Sequence, residues 1–463
     1  MRKISKIDNF QYKAMQVTKQ GHVVVLAFPF GTHAAPLLTL VGRLSAAAPN
    51  LKFSFLNTAK SNEKVFSKIK IAENGNIKAH NVYDGVPEGH VFSGHPLESV
   101  ELFLKAMPET FKNGVKEAVK ESGLKVTCLL SDAFFWFSGD MAAEMGVPWV
   151  ALWTAAPCSI SVHMYTALIR STLKGNGENV GQTLKFIPGM SAIHAKDLPD
   201  GVCHGNLEAP FSCMLDNMGR MLPRATALAM NSFEEIDHTI IDDLKSKLKM
   251  VLNVGPFNLA SPPLSFSDES GCIPWLDKHG ASSLAYLCFG SILTPSPNEL
   301  MALAEALEAQ KVPFLWSFRD SSKVQLLDKF LERTSTLGKI VPWSPQLQVL
   351  EHASVGVFIT HAGWNSISES IAGGVPMICR PFFADQPLNG RLVEDIWKIG
   401  VNVEGGVFTK CGIMRALDLV FKAEQGKMMR ENIGILKKKA REAVATDGSS
   451  TKNFKTLLEV VSG

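Results

Sequence analysis

VGVFITHAGWNSISESIAGG, residues 355–374, contains the unit from which the chain is built. VGVFIT carries no charge and reads as a buried strand. His361, Ala362, Gly363, Trp364, Asn365 and Ser366 follow as a turn, and ISESIAGG reads as a helix. The same rhythm recurs upstream: HVVVLAFPF (22–30) turns at Gly31 into an amphipathic stretch at 35–48, and LKFSFLN (51), VTCLLSDA (126), WVALWT (149) and ATALAMNSF (225) each precede a helical or looped stretch. SLAYLCFGS (283), VPFLWSF (312), KIVPW (339) and VPMICR (375) repeat it around the opening stretch. Buried strands alternating with helices mean an α/β chain with mainly parallel sheets.

Between these two series the pattern lapses into NVGPFNLASPPLSFSDESGC, rich in Pro, Ser and Gly, as a linker should be. The reading is therefore a loose tail over 1–21, a doubly wound domain over 22–252, a linker over 253–272 and a second doubly wound domain over 273–463. The amphipathic segment 427–461 is expected as one long terminal helix able to pack back on the first domain. Ligands of such sheets sit beyond the carboxyl ends of the strands, so two Rossmann-like domains facing across a cleft would each supply loops to one site.

Composition narrows the function. The 463 residues are 46% hydrophobic and 20% charged, with a formal net charge of +3 and the Lys and Arg residues scattered. That balance argues against a dedicated nucleic-acid or membrane-surface binder. No segment has about 18 uninterrupted apolar residues; the richest, 126–161, is broken by Asp132, Asp140 and Glu144. The eight cysteines (128, 158, 203, 213, 272, 288, 379 and 411) form no C-x-x-C pair, so reduced, mostly buried thiols are expected. With no signal-like leader, a cytoplasmic monomer without membrane insertion is the expectation.

Familiar fingerprints are missing: no G-x-G-x-x-G after a first strand, no P-loop, no G-x-S-x-G, no H-E-x-x-H and no Asp-x-Asp pair to hold a metal on a diphosphate. GNGENVG (175–181) has the wrong glycine spacing and reads as a loop. An NAD-dependent oxidoreductase would share the architecture but needs the glycine-rich turn this chain lacks.

The turn at 361–366 is different. A strand running into Gly and then Asn-Ser at a helix start presents backbone N–H groups and side-chain donors suited to a phosphate; an ordinary N-cap is the competing reading. Its neighbours favour the first. Trp343 offers a flat ring for a base, Glu369 a carboxylate for ribose hydroxyls, and Asp385 with Gln386 paired acceptors for a sugar. In the first half, His33 and Asp132 each directly follow or end a strand, and neighbouring parallel strands would bring them together. A lone His there is ordinarily a loop or cap residue; beside a sugar-nucleotide box it becomes a candidate base.

WSPQLQVLEHASVGVFITHAGWNSISESIAGGVPMICRPFFADQ, residues 343–386, resembles the nucleotide-sugar box of the plant UDP-dependent secondary-product glycosyltransferases, whose fold is GT-B. The resemblance implies that Trp343 stacks on uracil and Glu369 bonds the ribose. It implies that Gln346, Ser291, His361, Trp364, Asn365 and Ser366 belong to the UDP site, and that Trp364, Asp385, Gln386 and Thr154 hold the sugar. It makes His33 the general base and Asp132 its partner, with no metal and no cofactor. Ala362 stands where the family usually has Cys. Farther out, HVVVLAFPFGTHAAPLL, DGVPEGHVFSG, SDAFFWFSGDMAAEMG, NSFEEID and RPFFADQPLNGRLVEDIWKIGV look like the flavonoid 3-O-glucosyltransferases. Gly31 replaces a Ser often found beside the catalytic His, and WTAAP differs from WTAGP.

The expectation is thus an inverting enzyme moving glucose from UDP-glucose to a flavonoid hydroxyl, by resemblance the 3-hydroxyl of a flavonol or anthocyanidin, with Gln386 pointing to glucose rather than galactose. Gly31, Phe134 and His90 are candidates for the acceptor pocket, and neither His90 nor His163 has an evident partner. A catalytically silent glycoside carrier is the rival of a different class, which the retained His33 and Asp132 oppose.

Overall fold

A computed structural model describes residues 20–67, 75–95, 97–173, 181–261, 268–290, 293–319 and 328–463. Most of the N-terminal tail, most of the 175–181 loop, the middle of the expected linker and Ser291 lie outside the described residues.

Two sheets organise the chain. The first contains β1 (Gly21–Leu26), β2 (Leu51–Thr58), β3 (Ile77–Val82), β4 (Cys128–Asp132), β5 (Trp149–Trp153), β6 (Ala227–Met230) and β7 (Val251–Asn253), in the order β3-β2-β1-β4-β5-β6-β7. The second contains β8 (Leu284–Cys288), β9 (Phe314–Ser317), β10 (Gly338–Val341), β11 (Val355–Thr360), β12 (Met377–Cys379) and β13 (Gly400–Asn402), in the order β10-β9-β8-β11-β12-β13. Renumbered from its own first strand, each sheet begins 3-2-1-4-5-6, the doubly wound order of dinucleotide-binding folds. β1 pairs in parallel with β2 and β4, and β8 with β9 and β11. In both sheets the winding direction therefore reverses beside the first strand.

The central strands form where the sequence runs apolar because they are covered on both faces. β1 (GHVVVL) and β11 (VGVFIT) are buried throughout. In the second sheet, Leu287, Phe314, Trp316, Val357 and Ile359 pack with Leu300, Leu303 and Leu307 of the helix Pro297–Gln310 and with Ile413 and Leu417 of the helix Lys410–Phe421. By packing, the chain divides into two compact units: Met1–Asp132 with Phe137–Val150 and Lys455–Gly463, and Ala133–Trp136 with Ala151–Phe454.

All ten apolar runs contain strands, and three further strands have no such run. β3 (IKAHNV) is an edge strand with only Val82 buried, while β7 and β13 are three residues each. The terminal segment is two helices, Glu424–Ala443 and Ser449–Ser462, instead of one. A side chain at Gly448 would meet the carbonyl oxygens of Glu442 and Ala443 at 2.2 Å, so the chain turns sharply there. All eight cysteines are free, with Cys128, Cys158, Cys272 and Cys379 buried. No described helix is long and apolar enough to cross a membrane.

Candidate functional site

The register of β1 on β4, from Val23 opposite Cys128 to Leu26 opposite Ser131, levels their carboxyl ends at the point where the first sheet reverses. Asp132 is the last residue of β4 and His33 immediately precedes the helix Ala34–Ala47. Their side chains meet, His33 Nδ1 lying 2.8 Å from Asp132 Oδ2, with Asp132 only 1% and His33 20% exposed. A carboxylate can only accept, so Nδ1 carries the proton and the lone pair falls on Nε2. The edge of Phe28 packs on the imidazole at 5.3 Å between ring centroids. The ring is thus held by a hydrogen bond and by an aromatic contact, as a general base must be.

Gly31 has φ +62°, a conformation that favours glycine. His90 has the partner that sequence reading missed: its Nε2 lies 2.9 Å from Glu98 Oε1, while the other carboxylate oxygen of Glu98 accepts from the Ser93 N–H. The pair clasps a loop to the helix Glu98–Ala106.

Phe134 is 7% exposed and edges onto Trp153 and Phe211 at 5.9 and 5.7 Å. His163 packs against the same Trp153 at 5.9 Å. Burial pushes the His163 imidazole down to about 4, and its Nδ1 finds no partner among the described residues. Thr154, just after β5, is buried. Trp153, Phe211 and His163 thus join Phe134 in one aromatic cluster; of these, the sequence pointed to the acceptor pocket only at Phe134.

The second sheet reverses between β8 and β11, and the turns after these two strands meet. The ring of His361, which follows β11, lies between two glycines: a methyl group at Gly290 would come within 2.9 Å of Nε2, and one at Gly363 within 2.5 Å. Gly290 also has φ +75°. Burial pushes His361 down to about 4, so the ring is neutral near pH 7. Ala362, fully buried at φ +60°, donates no side-chain bulk; its carbonyl accepts from Asn389 Nδ2 at 3.1 Å. The helix Trp364–Gly373 then begins at an N-cap glycine, Gly363, which supplies no side-chain acceptor. The first-turn N–H groups of Trp364, Asn365 and Ser366 are therefore not closed by an ordinary side-chain cap, and with the helix dipole they suit an anion.

Deeper in this helix, Glu369 Oε2 accepts from Gln346 Nε2 at 2.5 Å, and the same Nε2 lies 3.3 Å from Ser366 Oγ. Burial raises the Glu369 carboxyl to about 7 against the hydrogen bond from Gln346. Trp343, half-buried two residues after β10, is anchored through its carbonyl, which accepts from Ser270 Oγ at 3.2 Å. The indole of Trp364 is 5% exposed and its N–H donates to the Asn231 carbonyl at 2.8 Å. What Trp364 can present to a ligand is thus its backbone N–H.

Gln386 is buried, and its Oε1 accepts from the N–H groups of Phe382 and Phe383 at 2.9 and 3.4 Å. The amide oxygen is committed to the loop, leaving the Nε2 end as the group to present. Asn389, fully buried, donates both to Asp385 Oδ2 at 3.0 Å and to the Ala362 carbonyl, joining the sugar candidate to the diphosphate turn. Arg380 anchors the start of this loop through Glu299 Oε1 at 2.8 Å and lies 4.0 Å over the Phe382 ring. Asn389, Tyr286, Asn231 and Glu299 were not singled out from sequence, because a buried Asn or Tyr carries no signature until its partners are known. Among the described residues no group of three His, Cys, Asp or Glu side chains is arranged to hold a metal.

Residues 59–441 match the family described as UDP-glucoronosyl and UDP-glucosyl transferase. A flavonol 3-O-glucosyltransferase of Actinidia chinensis var. chinensis is 58% identical over 446 residues, covering 96% of this chain and 97% of its own. An anthocyanidin 3-O-galactosyltransferase of the same plant is 54% identical, covering 97% of this chain and 99% of its own. The crystal structure of a UDP-glucose: anthocyanidin 3-O-glucosyltransferase in complex with UDP superimposes with a TM-score of 0.90 at 42% identity, over 96% of this chain and 99% of that one.

Proposed function

Since the chain belongs to the UDP-glucoronosyl and UDP-glucosyl transferase family, with a GT-B fold, we propose that it transfers glucose from UDP-glucose to the 3-hydroxyl of a flavonol or anthocyanidin with inversion. The observation that carries this reading is the His33 Nδ1–Asp132 Oδ2 hydrogen bond of 2.8 Å at the reversal point of a doubly wound sheet. His33 Nε2 takes the proton from the acceptor hydroxyl as that oxygen forms a bond to the anomeric carbon. The bond from the anomeric carbon to the β-phosphate oxygen breaks on the opposite face, giving a β-glucoside and UDP. A phenol of pKa about 10 lies about 3 units above neutrality, so prior ionisation costs roughly 4 kcal/mol; a base acting as the new bond forms avoids most of that cost. Asp132 stabilises the imidazolium that results.

Residues 22–252 are proposed as the acceptor-binding domain, 253–272 as the linker and 273–463 as the UDP-sugar domain. Trp343 and Glu369 take the nucleoside, with Gln346 orienting Glu369. His361, Asn365, Ser366 and the backbone at Trp364 take the diphosphate, and Ser291 joins them. Asp385, Gln386 and Thr154 take the hexose. The departing negative charge is met by a helix start and neutral donors, so the proposal assigns no role to a metal. A galactose donor is the second reading, favoured by the 54% identity to a galactosyltransferase.

The test is to incubate the protein and its His33→Ala variant with UDP-glucose and, separately, cyanidin, kaempferol, quercetin and an isoflavone, and to locate the transferred sugar by NMR. A β-glucoside at the 3-hydroxyl, lost in the variant, is expected. Turnover unaffected in His33→Ala, or no transfer by the wild type to any flavonoid, would overturn the reading.

A further inference from the structure

We propose that Tyr286 is a positioning residue for the nucleotide: its buried hydroxyl orients the carboxamide of Gln346, which in turn holds the Glu369 carboxylate in place. The inference rests on the nucleoside role proposed above for Glu369.

Tyr286 lies in the middle of β8, is fully buried, and stacks on Phe358 of β11 with ring centroids 5.0 Å apart. A Phe would fill the same space. The hydroxyl is therefore a polar group taken into a core position, where it is tolerated only if it is hydrogen-bonded. The hydroxyl lies 3.0 Å from Gln346 Oε1 and 2.9 Å from Ser344 Oγ, with the Cys288 thiol as a further hydrogen-bond neighbour. With its proton on Gln346, the Tyr286 oxygen can also accept from Ser344, so both hydroxyls are satisfied.

The consequence lies at the other end of the amide. A Gln side chain can present either its oxygen or its NH2 group, and the two choices are nearly equal in shape. Here the oxygen end lies on Tyr286 and the NH2 group on Glu369 Oε2 at 2.5 Å and Ser366 Oγ at 3.3 Å, so the amide is held at both ends. In the reverse orientation an amide oxygen would meet Glu369, which, when ionised, can only accept, so the carboxylate sets which end of the amide faces it. Tyr286 thus anchors the far end of the Gln346 carboxamide, whose other end meets Glu369. The chain joins three elements that sequence alone leaves unrelated: β8, the segment after β10, and the helix Trp364–Gly373.

The test is a double-mutant cycle read by calorimetric titration of UDP and by initial rates. Tyr286→Phe keeps the stacked ring and removes only the hydroxyl. The expected result is a Kd for UDP and a KM for UDP-glucose raised about five- to thirtyfold, the size of a lost orienting hydrogen bond. The kcat at saturating UDP-glucose and the acceptor KM should stay within about twofold. Because Tyr286 acts through Gln346, Tyr286→Phe combined with Gln346→Ala should bind UDP no more weakly than Gln346→Ala alone. A UDP Kd unchanged in Tyr286→Phe, or additive losses in the double variant, would overturn the inference. Failure of the wild type to bind UDP would instead overturn the nucleoside assignment beneath it.

Discussion

Replacing Asp132 by Asn is the sharpest probe of the base, because it changes one atom type while leaving volume and burial nearly the same. Asp132 is 1% exposed and 2.8 Å from His33 Nδ1, so water cannot substitute for the lost charge. A hydrogen bond to a charged group contributes about 1.5–3 kcal/mol and one between neutral groups about 0.5–1.5. The difference, about 1–2 kcal/mol, is the support withdrawn from the imidazolium, and at about 1.4 kcal/mol per decade it lowers kcat about five- to thirtyfold. The Asn side chain can also turn its NH2 toward Nδ1, placing the proton on Nε2 and removing the base altogether. That error carries the loss toward the roughly 10²- to 10⁴-fold span of general-base catalysis. The assay is kcat with UDP-glucose across flavonoids of decreasing hydroxyl pKa, together with UDP titration. We expect at least a fivefold fall in kcat, smaller for the more acidic acceptors, with UDP affinity unchanged. A kcat within twofold of wild type for the least acidic acceptor would refute the reasoning.

Three further outcomes follow from the second sheet. Gln386→His replaces the amide whose oxygen is fixed by the Phe382 and Phe383 N–H groups, and should raise the kcat/KM ratio of UDP-galactose to UDP-glucose; an unchanged ratio removes Gln386 from donor choice. In Gly363→Ala the backbone is unstrained but the methyl lies 2.5 Å from His361 Nε2, so the ring must move. KM for UDP-glucose should rise about tenfold or more with the melting temperature little changed, as measured by rates and calorimetry. Burial raises Glu369 from its ordinary 4.5 to about 7, so the folded state holds a proton the unfolded chain releases. The stability this gives is fully present below about pH 4.5 and is lost as pH rises through 7. At about 1.4 kcal/mol per unit it is on the order of 3 kcal/mol. The unliganded Glu369→Gln variant should therefore gain stability relative to wild type between pH 5 and pH 8, as followed by denaturant melts.

The apolar runs predicted ten strands because parallel strands covered on both faces must be apolar throughout. They missed β3 because this edge strand carries the polar Lys78, His80 and Asn81 with only Val82 buried, whereas another edge strand, β10, still presents Ile340 and Val341. His33 and Asp132 were legible as a pair since each adjoins a strand end, but their contact depended on β1 and β4 being neighbours, and strand order is not written in local sequence. The 343–386 box displayed His361, Glu369, Asp385 and Gln386 through its resemblance to the family's nucleotide-sugar box. It could not display Tyr286, Asn231 or Asn389, whose importance lies in partners 60, 133 and 27 residues away. Nor could it show that the Trp364 indole is turned into the protein, since a tryptophan beside a sugar-binding sequence looks like a ligand platform until its N–H is seen on a carbonyl.

The two hydrogens of one amide nitrogen, on Asn389, grip the Ala362 carbonyl and the Asp385 carboxylate together. A single NH2 group fixes the separation of its two acceptors as a gauge block fixes a gap, by covalent dimensions that do not drift with temperature or with loop packing. The span between the turn after β11 and the helix after β12 is thereby calibrated from inside. The surface side of the loop after β12, where Phe383 is exposed, is thus backed by a polar contact from within.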